Sequence, residues 1–170
     1  MKLILLNGSS CSGKSTVIEH VMREADIFKL SFDSIKWWFS KYYYKTHSDD
    51  VQKLLLSVAQ TVFKMKYDVI CDSVMDRDSR QKLIKLAKKY NYKILEVNLE
   101  ADYKILSKRF DERVKNALSN PGSKRISNVS KERFKKIHDR FHEEKNPHAM
   151  TFRTDVHSAD KISKKILKLL

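Results

Sequence analysis

The sequence predicts an α/β protein built on a mostly parallel sheet of about five strands, with helices on both faces in a three-layer sandwich. Short apolar runs alternate along the chain with longer segments of helical periodicity, which is the arrangement of consecutive βαβ units. A length of 170 residues and a hydrophobic content of 41% suit one domain with a sizeable core. We therefore expect a single domain over residues 1–170, with ligands bound beyond the carboxyl ends of the strands.

Each predicted strand is a short run of apolar residues. The first run is continuously apolar, as in a strand buried on both faces, whereas the second alternates. The predicted strands are Leu3–Leu6, Ile27–Phe32, Asp68–Asp72, Lys93–Leu99 and Met150–Thr154.

Each predicted helix places apolar residues three and four positions apart, on one stripe. Ser130 precedes one of them as an N-cap. The predicted helices are Thr16–Ala25, Asp49–Lys66, Arg80–Tyr90, Asp102–Leu118, Ser130–Glu144 and Ala159–Leu170, and the turn-forming cluster Ser119–Ser123 separates the fourth from the fifth.

The stretch after the first strand fits the phosphate-binding pattern G-x-x-x-x-G-K-[ST] and leads into a helix. We expect Gly8 and Gly13 to adopt backbone dihedrals that a side chain would forbid, so that the loop N–H groups form an anion nest. Lys14 is expected to reach the β- and γ-phosphates and Ser15 to ligate Mg²⁺. A loop that binds nothing is the alternative. The predicted ATP-binding residues are Gly8, Ser9, Ser10, Cys11, Ser12, Gly13, Lys14, Ser15 and Thr16, and the predicted fold is a kinase-type P-loop NTPase.

Two acids are predicted to follow strands at the same edge of the sheet. Asp72 ends an apolar strand, as the acid of a Walker-B element does, and is a candidate for binding Mg²⁺ and substrate. Asp33 ends the strand expected to lie next to the P-loop, where its carboxylate could accept the proton of an attacking hydroxyl. Helix capping is the alternative for both residues.

Arginines follow in the fourth helix and beyond the turn cluster. Arg109 and Arg113 stand four apart on one helix face, and Arg125 lies past the Pro-Gly break. Phosphoryl transfer needs positive charge over the γ-phosphate and exclusion of water, so we predict a helical lid over about 107–130 that carries these arginines. The alternative is a solvated helix face.

Aromatic residues are dense between positions 37 and 44, where Trp37 and Trp38 are candidates for a substrate pocket or for ordinary core. The net charge of +14 is compatible with a nucleic-acid partner or with a Lys-rich surface. No apolar run approaches a membrane span, and the two cysteines lack metal-ligand spacing. We expect a cytoplasmic protein that binds no membrane, and the sequence does not predict its oligomeric state.

The stretch Asn7–Ser15, followed by Phe32–Ile35, resembles the start of chloramphenicol phosphotransferase-like kinases, whose corresponding Asp is the general base. The Val69–Ser73 segment with Arg80 is similar to polynucleotide 5′-hydroxyl kinases, as is the Leu106–Arg113 segment to their lid. In this resemblance Lys36 stands where those kinases place a substrate-phosphate Arg. The resemblance implies that Lys36 and Arg80 bind substrate, and Arg125 of the predicted lid is a further candidate for binding substrate.

These observations predict an ATP-dependent phosphotransferase that acts on a hydroxyl of a small-molecule or nucleoside-type acceptor. Asp33 is the expected base, with Lys14, Arg109 and Arg113 stabilising the transferred charge. Two alternatives remain open, a polynucleotide 5′-hydroxyl kinase and a nucleotide-binding switch without kinase activity.

Overall fold

A computed structural model describes residues 1–36, 38–39, 48–72, 76–119 and 130–170. These contain five strands that pair in parallel in the order β2-β3-β1-β4-β5. The fold class predicted from the sequence is confirmed. The strands are β1 (Lys2–Gly8), β2 (Phe28–Leu30), β3 (Val69–Asp72), β4 (Lys93–Glu100) and β5 (Met150–Arg153).

Helices connect the strands and cover both faces of the sheet. Most of their bounds fall within a few residues of the prediction. The helices of the described part are α1 (Lys14–Glu24), α2 (Phe32–Lys36), α3 (Ser48–Lys64), α4 (Arg77–Lys89), α5 (Tyr103–Ser119), α6 (Lys131–Glu144) and α7 (Ala159–Leu167).

The central strand β1 supplies both halves of the core, because successive side chains of a strand point to opposite faces. Leu3 and Leu5 pack in the cluster that contains buried residues of α3 and α4. Ile4 and Leu6 pack in the cluster that contains residues of α1 and α7. A strand covered on both faces needs a continuous apolar run, which explains the composition of this segment.

A third, smaller core joins α5 and α6. It is formed by Ala101, Leu106, Phe110 and Phe134, and the rings of Phe110 and Phe134 stack with their centroids 4.6 Å apart. Cys11 of the P-loop packs against this cluster. The described part of the predicted lid region is therefore anchored beside the loop.

The second strand is shorter than predicted, and its position in the sheet also differs. The alternating pattern predicts a strand through Phe32, but Ser31 Oγ accepts a hydrogen bond from the Ser34 N–H at 3.2 Å, and the chain turns into α2. Asp33 consequently lies in the first turn of a helix rather than at the end of a strand. In addition, β3 lies between β1 and β2, so the strand before Asp33 is not the neighbour of the P-loop strand.

The N-terminus of α4 also differs from the prediction. Asp76 caps it, since its side chain accepts hydrogen bonds from the backbone N–H of Ser79 at 2.8 Å and from the hydroxyl at 2.9 Å. The helix therefore begins before the predicted start at Arg80. The predicted cap at Ser130 is confirmed, because its side chain accepts from the Arg133 N–H at 3.2 Å.

Candidate active site

The P-loop leaves β1 at Gly8 and enters α1 at Lys14. A Cβ atom at Gly8 would lie 2.7 Å from the carbonyl oxygen of Leu99 on β4 and would also contact the side chain of Ser12. The dihedrals of Gly8 are not in the left-handed region, so the reason that we expected for this glycine is wrong. Gly8 is required because the loop lies directly against the neighbouring strand.

Gly13 has the conformation that the sequence predicts. Its φ of +87° is left-handed, and a Cβ there would meet nothing nearer than Thr154 Cγ2 at 4.0 Å. Cys11 is also left-handed, with φ of 63°, although it carries a side chain. The loop thus contains two left-handed residues separated by Ser12, a buried residue whose hydroxyl has no hydrogen-bond partner.

Lys14 folds back over the loop. Its Nζ donates to the carbonyl oxygens of Gly8 and Ser9, each at 2.8 Å. Burial lowers the pKa of the Lys14 ammonium to about 8, while the carboxylates of Asp33 and Asp72 act in the opposite direction. Both acids therefore influence the P-loop lysine, and the three groups form one electrostatic unit.

Asp72 lies at the carboxyl end of β3, in register with Leu6 of β1. Its side chain is only 10% exposed, and Oδ2 lies 3.4 Å from Lys29 Nζ. Burial raises the pKa of the Asp72 carboxyl, which the Ser31 hydroxyl and Lys29 partly oppose. The buried Oδ1 has no hydrogen-bond partner. This unpartnered carboxylate oxygen near the P-loop has the chemistry that a Mg²⁺ ion or its water ligands require.

Asp33 differs from Asp72 in being open to solvent. Its side chain is 82% exposed, and Lys36 Nζ lies 3.4 Å from Oδ1. The Lys36 ammonium also lies 4.6 Å from the centroid of the Phe32 ring. Capping does not explain Asp33, because Ser31 occupies the capping position of α2. The carboxylate is accessible to a substrate, and its paired cation comes from the same helix.

Arg109 connects three parts of the site. Its Nη1 donates to Thr154 Oγ1 at 3.0 Å and to the Cys11 carbonyl at 3.4 Å, and its Nη2 donates to the Thr154 carbonyl at 2.8 Å. The guanidinium thereby ties α5 to the P-loop and to the segment after β5. Arg113, one turn further along α5, is exposed, and its positive charge contributes to lowering the pKa of Lys14.

Arg80 is buried in a network that we call the polar junction, formed by Arg80, Glu96, Asn98, Asn146 and the carbonyl of Glu144. Arg80 Nη2 donates to this carbonyl at 3.0 Å, and its Nε lies 3.8 Å from Glu96 Oε2. Asn146 donates to Glu96 at 2.9 Å and accepts from Asn98 at 3.0 Å. These partners of Arg80 lie outside the P-loop. Its substrate contact stays a prediction and is not part of the proposal below.

Two predicted site residues, Trp37 and Arg125, lie outside the described residues, as does the part of the predicted lid over 120–129. The side chain of Trp38 is 67% exposed. Within the described ranges, no three His, Cys, Asp or Glu side chains are grouped to hold a metal. None of the helices in those ranges is long and apolar enough to cross a membrane.

Sequence reasoning missed three residues that contact the predicted residues of the candidate active site. Thr154 holds Arg109, Lys29 pairs with Asp72, and Ser31 begins α2 beside Asp72. Ser31 could have been found, because a serine before Phe-Asp-Ser-Ile at the end of an apolar run is a helix-cap signal. Thr154 and Lys29 become partners only through the order of the strands, which local patterns do not contain.

Comparison with solved structures shows similarity over nearly the whole chain. The chain is similar to a presumed kinase from Chloroflexus aurantiacus (TM-score 0.75, 16% identity, 99% of this chain and 98% of that chain). It is also similar to Kti12 of Chaetomium thermophilum in complex with ADP-AlF3 (TM-score 0.69, 16% identity, 98% and 97%). A third similar structure is the APS kinase CysC of Mycobacterium tuberculosis in complex with AMPPNP and APS (TM-score 0.67, 14% identity, 99% of this chain and 96% of that chain).

At these identities the likeness shows the fold, which is that of P-loop kinases. No curated protein matches the chain. The model of the AAA domain family matches residues 3–144, which include the P-loop, both acids and the arginines of α5. The chain belongs to the AAA domain family, AAA_33.

Proposed function

We propose that this protein is an ATP-dependent phosphotransferase that transfers the γ-phosphate to a hydroxyl of a small-molecule or nucleoside-type acceptor. The observation that carries the proposal is the convergence of Lys14 with Asp33 and Asp72, in which one carboxylate is exposed and the other is nearly buried. The two environments suit different roles. The exposed acid can meet an acceptor, and the buried acid suits a bound cation.

Asp33 is the proposed general base. Its carboxylate takes the proton of the acceptor hydroxyl while the hydroxyl oxygen bonds to the γ-phosphorus and the β–γ bridging bond breaks, which releases ADP. Lys36 Nζ, 3.4 Å from Oδ1, limits the orientations of the carboxylate. A similar base is implied by the resemblance to chloramphenicol phosphotransferase-like kinases, a finer assignment that remains a proposal.

Lys14 and Arg113 supply positive charge to the transferred phosphoryl group in this proposal. Arg109 acts through its contacts with Cys11 and Thr154, and so it positions the loop. Mg²⁺ would be held by Ser15 and Asp72, whose Oδ1 is buried without a partner, and it would neutralise phosphate charge. The comparisons support a nucleotide ligand, since two of the similar proteins were solved with AMPPNP or ADP-AlF3.

The test is transfer of label from γ-labelled ATP to hydroxyl compounds, run in parallel with small molecules, nucleosides and a 5′-hydroxyl oligonucleotide. Asp33→Asn is expected to lower kcat by about 10²–10⁴ with little change in ATP affinity, because a positioned base contributes about that factor. Asp26→Asn, which removes another exposed acid, serves as the matched control and retains activity.

The outcomes separate the alternatives. Label on a small molecule that is lost in Asp33→Asn supports the proposal. Label on the oligonucleotide alone would assign a polynucleotide 5′-hydroxyl kinase instead. Release of free phosphate only, at the same rate in Asp33→Asn, would leave a nucleotide-binding switch and contradict the role of Asp33.

A further inference from the structure

A surface rich in lysines lies at the edge of the sheet opposite the P-loop, where the strands begin. We call it the basic edge. It consists of Lys64, Lys66, Lys88, Lys89 and Lys93, all of them exposed.

Short contacts hold these lysines near one another. Lys66 Nζ donates to the carbonyl of Tyr90 at 3.4 Å, which joins the segment after α3 to the end of α4. The hydroxyl of Tyr92 donates to the carbonyl of Tyr67 at 2.6 Å, which joins the same two segments again. Lys93 begins β4 immediately after Tyr92. These contacts bring together the three chain segments that carry the five exposed lysines.

Few acids balance this charge. In the described part of the chain, Lys64, Lys88, Lys89 and Lys93 have no carboxylate within ion-pair distance. Two acids precede strands at this edge. Asp68 is half-buried, and its Oδ1 accepts the backbone N–H of Lys2 at 2.6 Å, whereas Asp26 before β2 is exposed. The basic edge therefore presents a net positive surface to solvent.

Helix stability accounts for only part of the cluster. Lys64, Lys88 and Lys89 lie in the last turns of α3 and α4, where cations offset the helix dipole. Lys66 and Lys93 lie outside the helices. Lys93 is, in addition, in register with Lys2 on the neighbouring strand, and like charges in that position are destabilising. Lys66 caps the end of α4 through Tyr90, but helix stability does not explain Lys93.

Exposed apolar side chains lie among the lysines. Tyr67 is 39% exposed and Met65 is 60% exposed, and they flank Lys66 in the sequence. Ammonium groups bind phosphates, and an exposed ring offers a stacking surface for an unpaired base. A lipid surface would require a broader apolar face than these two side chains provide.

We propose that the basic edge binds single-stranded nucleic acid, with phosphates on the lysines and a base on Tyr67. The inference is independent of the proposed kinase function, because the surface lies at the opposite edge from Lys14. The five lysines of the basic edge also account for part of the net charge of +14.

The experiment measures anisotropy of a labelled, 5′-phosphorylated single strand without ATP, in salt from about 50 to 200 mM. Five phosphate contacts at about 0.7 each predict a slope of log K against log salt of about −3.5. Replacing Lys66, Lys88, Lys89 and Lys93 together by Gln is expected to weaken binding by about 100-fold or more and to flatten the slope to about −0.7.

A matched variant removes the same charge elsewhere. Lys53, Lys82, Lys161 and Lys164, all exposed, are replaced together by Gln, and binding is expected to change by less than about threefold. Tyr67→Ala is expected to weaken binding about tenfold without changing the slope, because stacking is not electrostatic. Circular dichroism and label transfer from ATP show whether each variant is folded and active.

Three outcomes would overturn the proposal. The first is equal weakening in the two lysine variants, which would mean diffuse attraction to the whole surface. The second is tighter binding to duplex or to anionic phospholipid vesicles than to the single strand. The third is no measurable binding at about 50 mM salt, where a five-contact site is strongest.

Discussion

The two glycines of the P-loop are needed for different physical reasons. Gly8 is needed for space, since a Cβ would lie 2.7 Å from the Leu99 carbonyl oxygen. Gly13 is needed for its left-handed backbone, with open space where a Cβ would be. The sequence pattern treats these positions alike, whereas the structure distinguishes close approach from dihedral freedom.

Gly8→Ala is therefore expected to be the more damaging of two matched substitutions. The added methyl must displace β4 backbone or reshape the loop, and we expect a loss of about 2–3 kcal/mol in unfolding free energy together with loss of ATP binding. Gly13→Ala costs about 1 kcal/mol, the penalty of a left-handed Ala. Urea denaturation compares the two. A larger loss in Gly13→Ala would contradict this assignment.

The pKa of Lys14 predicts a pH dependence of ATP binding. Burial brings this pKa to about 8 in the free protein, and the polyphosphate binds the ammonium form. Affinity should be full below about pH 8 and fall above it by up to about tenfold per pH unit. Calorimetry in buffers of different ionisation enthalpy should show proton uptake on binding above pH 8.

Lys14→Arg is the control for this prediction. A guanidinium stays charged throughout the range, so any residual ATP binding in this variant should not weaken between about pH 7 and 9.5. Equal pH dependence in the wild type and in Lys14→Arg would place the titrating group elsewhere.

At the scale of elements, Arg109 couples α5 to the P-loop and to the segment after β5. Its guanidinium donates to backbone carbonyls of both segments and to the Thr154 hydroxyl. These hydrogen bonds hold the P-loop against α5 and against the segment after β5. A change in the position of α5 should therefore affect the P-loop, and a change in the loop should affect α5.

A double-mutant cycle tests this coupling. Arg109→Met is expected to weaken ATP binding about tenfold, and Thr154→Val to weaken it less, because the backbone carbonyl still accepts. The two effects should be non-additive by about 0.5 kcal/mol or more, as for residues in direct contact. Additive effects on ATP affinity, measured by calorimetry, would contradict a shared role.

Local patterns predicted what depends on local chemistry. The strand and helix that flank the Gly8–Lys14 loop, the central strands and the Ser130 cap follow from spacing and residue type, and they are confirmed. The predicted end of the second strand was wrong. The alternating pattern continues through Ser31, but the hydrogen bond from the Ser34 N–H to the Ser31 side chain begins a helix there. Contacts such as Lys29 with Asp72 need the strand order, and a sequence read locally contains no such information.

At the scale of the molecule, the polar junction joins α4, β4 and the end of α6 beneath the active-site edge. Arg80 and the Glu96 side chain are nearly buried there, and neither Arg80 Nε nor Glu96 Oε2 has a hydrogen-bond partner. A buried ion pair held at 3.8 Å is costly to break, because the remaining charge is left without its counterion.

Arg80→Met is accordingly expected to lower the unfolding free energy by about 3–5 kcal/mol, since it leaves Glu96 buried and unpaired. Arg80→Met with Glu96→Leu should recover much of this loss. Arg140→Met, an exposed arginine on α6, should cost less than about 0.5 kcal/mol. Denaturation in urea measures all three, and a loss below about 1 kcal/mol in Arg80→Met would show that the pair does not stabilise the fold.

The central place of β1 has a consequence for biosynthesis. Of the five strands, β1 is translated first, yet both of its partners, β3 and β4, follow more than sixty residues later. Its apolar run therefore stays unpaired until β3 has been translated, and unpaired apolar strands are prone to aggregation. The same position that places the P-loop at the centre of the fold makes its strand depend on segments that are translated much later.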